Sequence, residues 1–222
     1  DINNVQIDID KMKEIIDQAR EIGVFKVVFS GGECTLHKDF VEILEYARNK
    51  RMSVEIFTNG QTLYDNPKLL ERIINSYPYR VGLSMYSLNE DTHEKVTSVK
   101  GSHNKTLSVI KELRAKNINI QIKNFLLNIN CKDCIAIKKF ANEIKANTAG
   151  DTSLTPTIEG DTKNFQYVVG EEDLYELYTN PDSPLNVKNT VKRDITKIQN
   201  EGLCAGGSYD LCVSPTLEVH PC

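Results

Sequence analysis

The chain has 222 residues, 40% of them hydrophobic, which suffices for one substantial core, either one large domain or one plus a small appendage. Its formal net charge is -4 and its 27 basic residues are scattered rather than clustered, which argues against a nucleic-acid binder. No apolar run reaches the roughly 18 residues of a membrane span, and residue 1 opens no basic-then-apolar signal peptide, so the expectation is no membrane and a cytoplasmic location.

In chain order, Asp8 caps an amphipathic run through Ile9, Met12, Ile15, Ile16, Ala19 and Ile22, ended by Gly23. A strand then runs through Val27, Val28 and Phe29 into Ser30-Gly31-Gly32-Glu33, a loop whose backbone is open to close approach. The spacing of Phe40, Ile43, Leu44 and Ala47 predicts a second helix, and Ser53 to Thr58 a second strand closed by Asn59-Gly60. Asn66-Pro67 opens a helix through Leu69, Leu70, Ile73 and Ile74, and Val81 to Met85 is the third strand. Asn89 caps a short helix, and Gly101-Ser102 opens a longer one ahead of a strand at Ile118 to Leu127.

Beyond that, Cys131 to Ile144 reads as a helix, Ser153 to Ile158 as a fifth strand, and Glu171 to Tyr178 as a helix with acids in its first turn. Pro181 to Gly202 is polar and irregular, a connection, and Leu203 to Cys222 is a cysteine-bearing segment of different character. The alternation predicts an α/β fold with a parallel sheet, either doubly wound or a barrel, and five strands are too few for a closed eight-stranded barrel. Ligands in such folds bind outside the carboxyl ends of the strands, which places the Gly31-Gly32-Glu33 loop on the face where a site is expected.

The six cysteines are Cys34, Cys131, Cys134, Cys204, Cys212 and Cys222. In a chain of this length without a secretory signal, metal binding or redox chemistry is expected over disulfides. Cys131 and Cys134 open a helix, where a thiol pKa falls, so a redox pair is conceivable, though a surface pair without function is the preferred reading. Cys34 is assigned no role, and His37 and His93 read as loop and helix-start residues.

The order of Phe29-Ser30-Gly31-Gly32-Glu33, Phe57-Thr58-Asn59-Gly60, Leu83-Ser84-Met85-Tyr86-Ser87-Leu88, Lys100-Gly101-Ser102, Cys204-Ala205-Gly206-Gly207, Val213-Ser214-Pro215 and Val219-His220-Pro221-Cys222 resembles radical SAM enzymes with a C-terminal SPASM or twitch extension. The resemblance implies a partial (β/α)6 TIM-like barrel of parallel strands, open on one side, in which the five strands read here are the second to the sixth. It places the barrel in residues 1–180, the connection in 181–202 and the start of a small cysteine-rich auxiliary-cluster domain in 203–222. The family's C-x3-C-x2-C motif, which holds a [4Fe-4S] cluster, does not occur in this sequence. The expectation is that it lies before Asp1 and that these residues alone are inactive.

By the same resemblance, Gly31, Gly32 and Glu33 contact the methionine amino group of S-adenosylmethionine. Glycine carbonyls can accept from an ammonium, and a glutamate adds charge nearby; the plainer alternative is a strand-ending turn with a solvated acid. Ser84 resembles the position that contacts the ribose or carboxylate, against an ordinary strand serine. Lys123 could neutralise the methionine carboxylate, or sit at the rim with its amine in water. Thr58 and Asn59 line the site or make a turn. Cys204 and Cys222, with Cys212 as a third candidate, would ligate an auxiliary iron-sulfur cluster, although Leu217 stands where the pattern has a glycine. With His220 the same cysteines also make a Cys3His zinc set.

The expected activity is reductive cleavage of S-adenosylmethionine to a 5'-deoxyadenosyl radical that abstracts hydrogen from a substrate. That substrate is expected to be a peptide or protein, with a flavodoxin or ferredoxin as electron donor. The alternatives are a small-molecule or tetrapyrrole substrate, or a zinc-binding α/β module without catalysis.

Overall fold

The computed structural model describes residues 6–157, 160–186, 207 and 210–221. Among them, helix α1 (Ile9–Glu21), strand β1 (Lys26–Phe29), α2 (Phe40–Asn49), β2 (Ser53–Thr58), α3 (Gln61–Asp65), α4 (Pro67–Asn75) and β3 (Arg80–Ser84) alternate as expected, apart from the added turn of helix at α3. They are followed by α5 (Glu90–Thr97), α6 (Ser102–Ala115), β4 (Ile120–Phe125), α7 (Cys134–Glu143), β5 (Asn147–Asp151) and α8 (Glu171–Thr179). The predicted caps form: Asp8 accepts from the Asp10 amide, Asn66 from Leu69 with Pro67 in the first turn, and Asn89 from Thr92.

The five strands are parallel and lie in strict chain order, β1-β2-β3-β4-β5. A doubly wound sheet reverses direction at a switch point; a sheet that steps the same way each time puts all its crossover helices on one face. The result is a partial TIM-like barrel, with no ladder joining β1 to β5.

One face of the sheet is the core. Val54, Ile56, Val81, Leu83, Ile120 and Ile122 are buried against Leu44, Ala47, Leu70, Ile73, Val109, Ile110 and Leu113 of the helices. Residues one step out of phase point to the opposite, concave face: Glu55 and Phe57 on β2, Arg80, Gly82 and Ser84 on β3, Gln121, Lys123 and Phe125 on β4. Burial alternates strictly along β4, the two-faced pattern more usual in antiparallel sheets, whereas on β2 and β3 the concave-face residues Glu55 and Gly82 are buried as well. The concave face is where charge sits.

Two expectations need correcting. The fifth strand is Asn147–Asp151, paired with β4; of the expected Ser153 to Ile158, residues 153–157 are described and form no strand, and Pro156 among them has no amide to donate to a ladder. Cys131 and Cys134 are each only 1% exposed, so they are not a surface pair. They pack with Leu126, Val169 and Leu177 in a small second cluster beneath α8.

Strands β6 (Cys212–Val213) and β7 (Val219–His220) form an antiparallel hairpin within 203–222. Its turn closes with Leu217 in the left-handed region (φ 67) and the Ser214 amide donating to the Glu218 carbonyl at 2.9 Å. The turn therefore forms without the glycine, at the steric cost a leucine pays at positive φ, about 1–2 kcal/mol.

Candidate functional site at the carboxyl end of the sheet

The loop after β1 is tied to the end of β2 by one side chain. Glu33 Oε1 accepts from the Thr35 amide (3.2 Å), the Thr35 hydroxyl (2.6 Å) and the Thr58 hydroxyl (2.8 Å), while Oε2 accepts from the Asn59 amide at 2.7 Å. The carboxylate thus caps the short 3-10 turn Cys34–Leu36 and bridges two strand ends. Thr58 is buried and also accepts from the Gly60 amide at 3.0 Å. Asn59 is exposed; its side chain accepts from the Gln61 amide and its carbonyl from the Thr106 hydroxyl, which docks this loop on α6.

Cys34 makes a parallel tie. Its thiol reaches the Phe57 carbonyl at 3.3 Å and the Phe29 carbonyl at 3.7 Å. Burial, and after it the Glu33 charge, push its pKa up to about 12. Cys34 is therefore expected to resist alkylation: in folded, iron-free protein at pH 8, iodoacetamide labelling of exposed Cys212 should be complete while Cys34 stays unmodified by peptide mass spectrometry.

Gly31 and Gly32 are exposed just past β1. Gly31 sits at φ +118, and a Cβ on either glycine would find nothing within 4 Å, so their backbone faces open space at the strand end. Two strands away, Ser84 and Lys123 are register partners on β3 and β4, both half-buried on the concave face. The Lys123 ammonium lies 3.4 Å from the centroid of the Phe57 ring. Burial holds its pKa below the usual lysine value, with Glu55 opposing that shift and Arg80 adding to it.

Deeper in the same face, Glu55 is only 2% exposed and accepts from Arg80 Nη2 at 2.9 and 3.0 Å, with Lys26 Nζ 3.7 Å away. Behind the loops after β3 and β4, buried Asn130 donates to the Tyr86 carbonyl (2.9 Å) and the Phe125 carbonyl (3.0 Å). His93, expected to be a bare helix-start residue, is buried; its Nδ1 accepts from the Tyr86 amide, and burial followed by the neighbouring His103 lowers its pKa to about 4. It is neutral at physiological pH.

The structure thus joins Glu33, Thr58 and Asn59 directly, pairs Ser84 with Lys123, and sets Gly31-Gly32 at the same end of the sheet. Sequence reasoning missed Phe57, Gly82, Glu55, Arg80 and Asn130. An acid inside the apolar run Ser53 to Thr58, and a glycine in mid-strand at 82, were the available signals.

The cysteines divide differently. Cys131 and Cys134 have thiol pKa values raised by burial, Cys134 to about 11, so the helix N-terminus does not activate them. Cys204 and Cys222 lie outside the described residues. Cys212 is exposed on β6 opposite His220. Among the described residues no three or more His, Cys, Asp or Glu side chains converge as a metal site.

Residues 2–131 match the family model of the Radical SAM superfamily. The chain belongs to the radical SAM superfamily. Its relatives include an AdoMet-dependent heme synthase of Methanosarcina barkeri, 28% identical over 237 residues that span 96% of this chain and 67% of the relative. A PqqA peptide cyclase of Gluconobacter oxydans is 29% identical over 123 residues, 55% of this chain and 34% of the relative. Streptococcus suis SuiB, in its S-adenosylmethionine-bound crystal structure, shares the fold at a TM-score of 0.71 and 16% identity, across 97% of this chain and 53% of that one. The chain therefore spans between about a third and two thirds of the length of these radical SAM relatives.

Proposed function

We propose that this radical SAM chain binds S-adenosylmethionine across the carboxyl end of its sheet and presents it to a peptide or protein substrate. The observation that carries the reading is that Ser84 and Lys123 are register partners on the concave face, toward the same end of the sheet as the open Gly31-Gly32 backbone. In this reading the Gly31 and Gly32 carbonyls accept from the methionine ammonium, and Lys123 and Ser84 receive the carboxylate. Glu33, Thr58 and Asn59 hold the loop that carries the glycines. The chemistry supplied when the cofactors are bound is hydrogen-atom abstraction by a 5'-deoxyadenosyl radical. What the described residues contribute is orientation of the methionine end of the cofactor.

The sheet's unclosed concave side and the PqqA peptide cyclase relative support a peptide, modified by crosslinking, thioether formation or epimerisation. Residues 203–222, with Cys204, Cys212 and Cys222, are then the start of an auxiliary iron-sulfur domain, and a flavodoxin or ferredoxin is the electron donor. A tetrapyrrole substrate is the second reading, favoured by the heme synthase relative that spans nearly all of this chain.

The test uses the full-length protein, reconstituted with iron and sulfide without oxygen and given reductant, S-adenosylmethionine and a perdeuterated cell extract. Deuterium is expected in the 5'-deoxyadenosine by mass spectrometry, and it should vanish when the extract is first digested with protease. Transfer that survives protease and follows the tetrapyrrole fraction favours the second reading. Absence of any 5'-deoxyadenosine would sink both and leave a zinc module, checked by zinc content.

A further inference from the structure

Phe57 and Lys123 lie on β2 and β4, which are not neighbours; β3 runs between them. Two inter-strand spacings amount to roughly 10 Å, too far for a ring and an ammonium to meet unless both side chains lean over the intervening strand. The residue they lean over is Gly82, whose register partners are Phe57 on one side and Gln121 on the other. A Cβ at Gly82 would fall 2.7 Å from Phe57 Cδ1 and 3.2 Å from Lys123 Cδ. The missing side chain is what permits the contact, and the contact is close: Nζ stands 3.4 Å from the ring centroid.

The electrostatic setting gives that contact a purpose. Glu55 is the acid whose charge acts on Lys123, but its carboxylate is taken by Arg80 and approached by Lys26. Among the described residues Lys123 has no carboxylate within ion-pair distance; its partner is a neutral ring. A carboxylate partner would fix the ammonium and neutralise it. An aromatic face fixes it while leaving the positive charge available to an incoming anion. Ser84, the register partner of Lys123, puts a hydroxyl on the same face.

We propose that Phe57 is a positioning residue, its ring holding the Lys123 ammonium on the concave face ready for a ligand carboxylate, and that Gly82 is glycine because this arrangement spans it. The proposal rests on the reading that Lys123 receives the S-adenosylmethionine carboxylate, and it adds the device that pre-orders the lysine.

The test measures, by anaerobic calorimetry on the full-length protein, affinity for S-adenosylmethionine and for its decarboxylated analogue. The ratio of the two reports the carboxylate preference alone. Lys123→Met is expected to remove most of the preference, leaving what the Ser84 hydroxyl contributes. Phe57→Leu, which keeps bulk and removes the π-face, is expected to reduce it about three- to tenfold with little change in affinity for the decarboxylated analogue. Phe57→Tyr should restore it. Gly82→Ala, which displaces the ring, should behave like Phe57→Leu and serves as the independent variant if Phe57→Leu does not fold. In the Lys123→Met background, Phe57→Leu should have no further effect on the ratio. If Phe57→Leu weakens both ligands equally, the ring is only packing and the positioning role is overturned while the carboxylate reading stands. If Lys123→Met leaves the preference intact, or the wild type binds neither ligand, the reading beneath it falls and takes the proposal with it.

Discussion

Replacing Arg80 with methionine is expected to destabilise the protein by about 3–5 kcal/mol, a fall of about 6–20 °C in melting temperature. The reason is the partner left behind. Glu55 is 2% exposed on the concave face of β2, and its register partner Arg80, on the adjacent strand, supplies both short contacts to its oxygens. Remove the guanidinium and the carboxylate keeps only Lys26, at 3.7 Å and from a half-solvated side chain, which recovers a small part of the loss. The pair as a whole need not be strongly stabilising, because desolvating two charges offsets most of their attraction. The double replacement Glu55→Met with Arg80→Met is therefore expected to lie within about 1–2 kcal/mol of wild type by urea denaturation. A single Arg80→Met that costs under about 1 kcal/mol would show that the carboxylate reaches water without its partner.

That pair also shows what the sequence could and could not convey. Hydrophobic period and capping residues are local, so the first four strands and the caps Asp8, Asn66 and Asn89 were legible within a residue or two, while α3 was not foreseen and α7 begins at Cys134 rather than at the expected Cys131. The fifth strand was not. Asn147–Asp151 has one alanine, one threonine and a glycine where a strand former is expected, and it is a strand because β4 pairs with it; Ser153 to Ile158 reads better locally but holds Pro156. The site followed the same division. The end of the sheet where Gly31, Gly32, Ser84 and Lys123 gather comes from strand order alone. The partners of Glu33 and Lys123 depend on the register of neighbouring strands, and Phe57 meets Lys123 only through a gap at Gly82 that no single-strand pattern describes.

Glu33 carries the second large effect, and it decides between two roles for one carboxylate. As placed here, it accepts four hydrogen bonds, from Thr35 twice, Thr58 and Asn59, and so fixes the Gly31-Gly32 loop to the end of β2. Glu33→Ala removes a charged acceptor from all four donors at once, and the buried Thr58 hydroxyl loses the oxygen it donates to. The expected cost is about 2–4 kcal/mol. Glu33→Gln keeps an oxygen for Thr35 and Thr58 but turns an amide nitrogen toward the Asn59 N–H, donor against donor, for about 1–2 kcal/mol. In both variants the Thr35 and Asn59 amides should lose hydrogen-exchange protection, and S-adenosylmethionine affinity should fall in step with that loss, because the glycine backbone is no longer held. Were the carboxylate instead serving the ligand's ammonium directly, Glu33→Gln would weaken S-adenosylmethionine binding while melting and amide protection stayed at wild-type values. Measuring exchange and affinity on the same sample separates a residue that builds the cofactor loop from one that touches the cofactor.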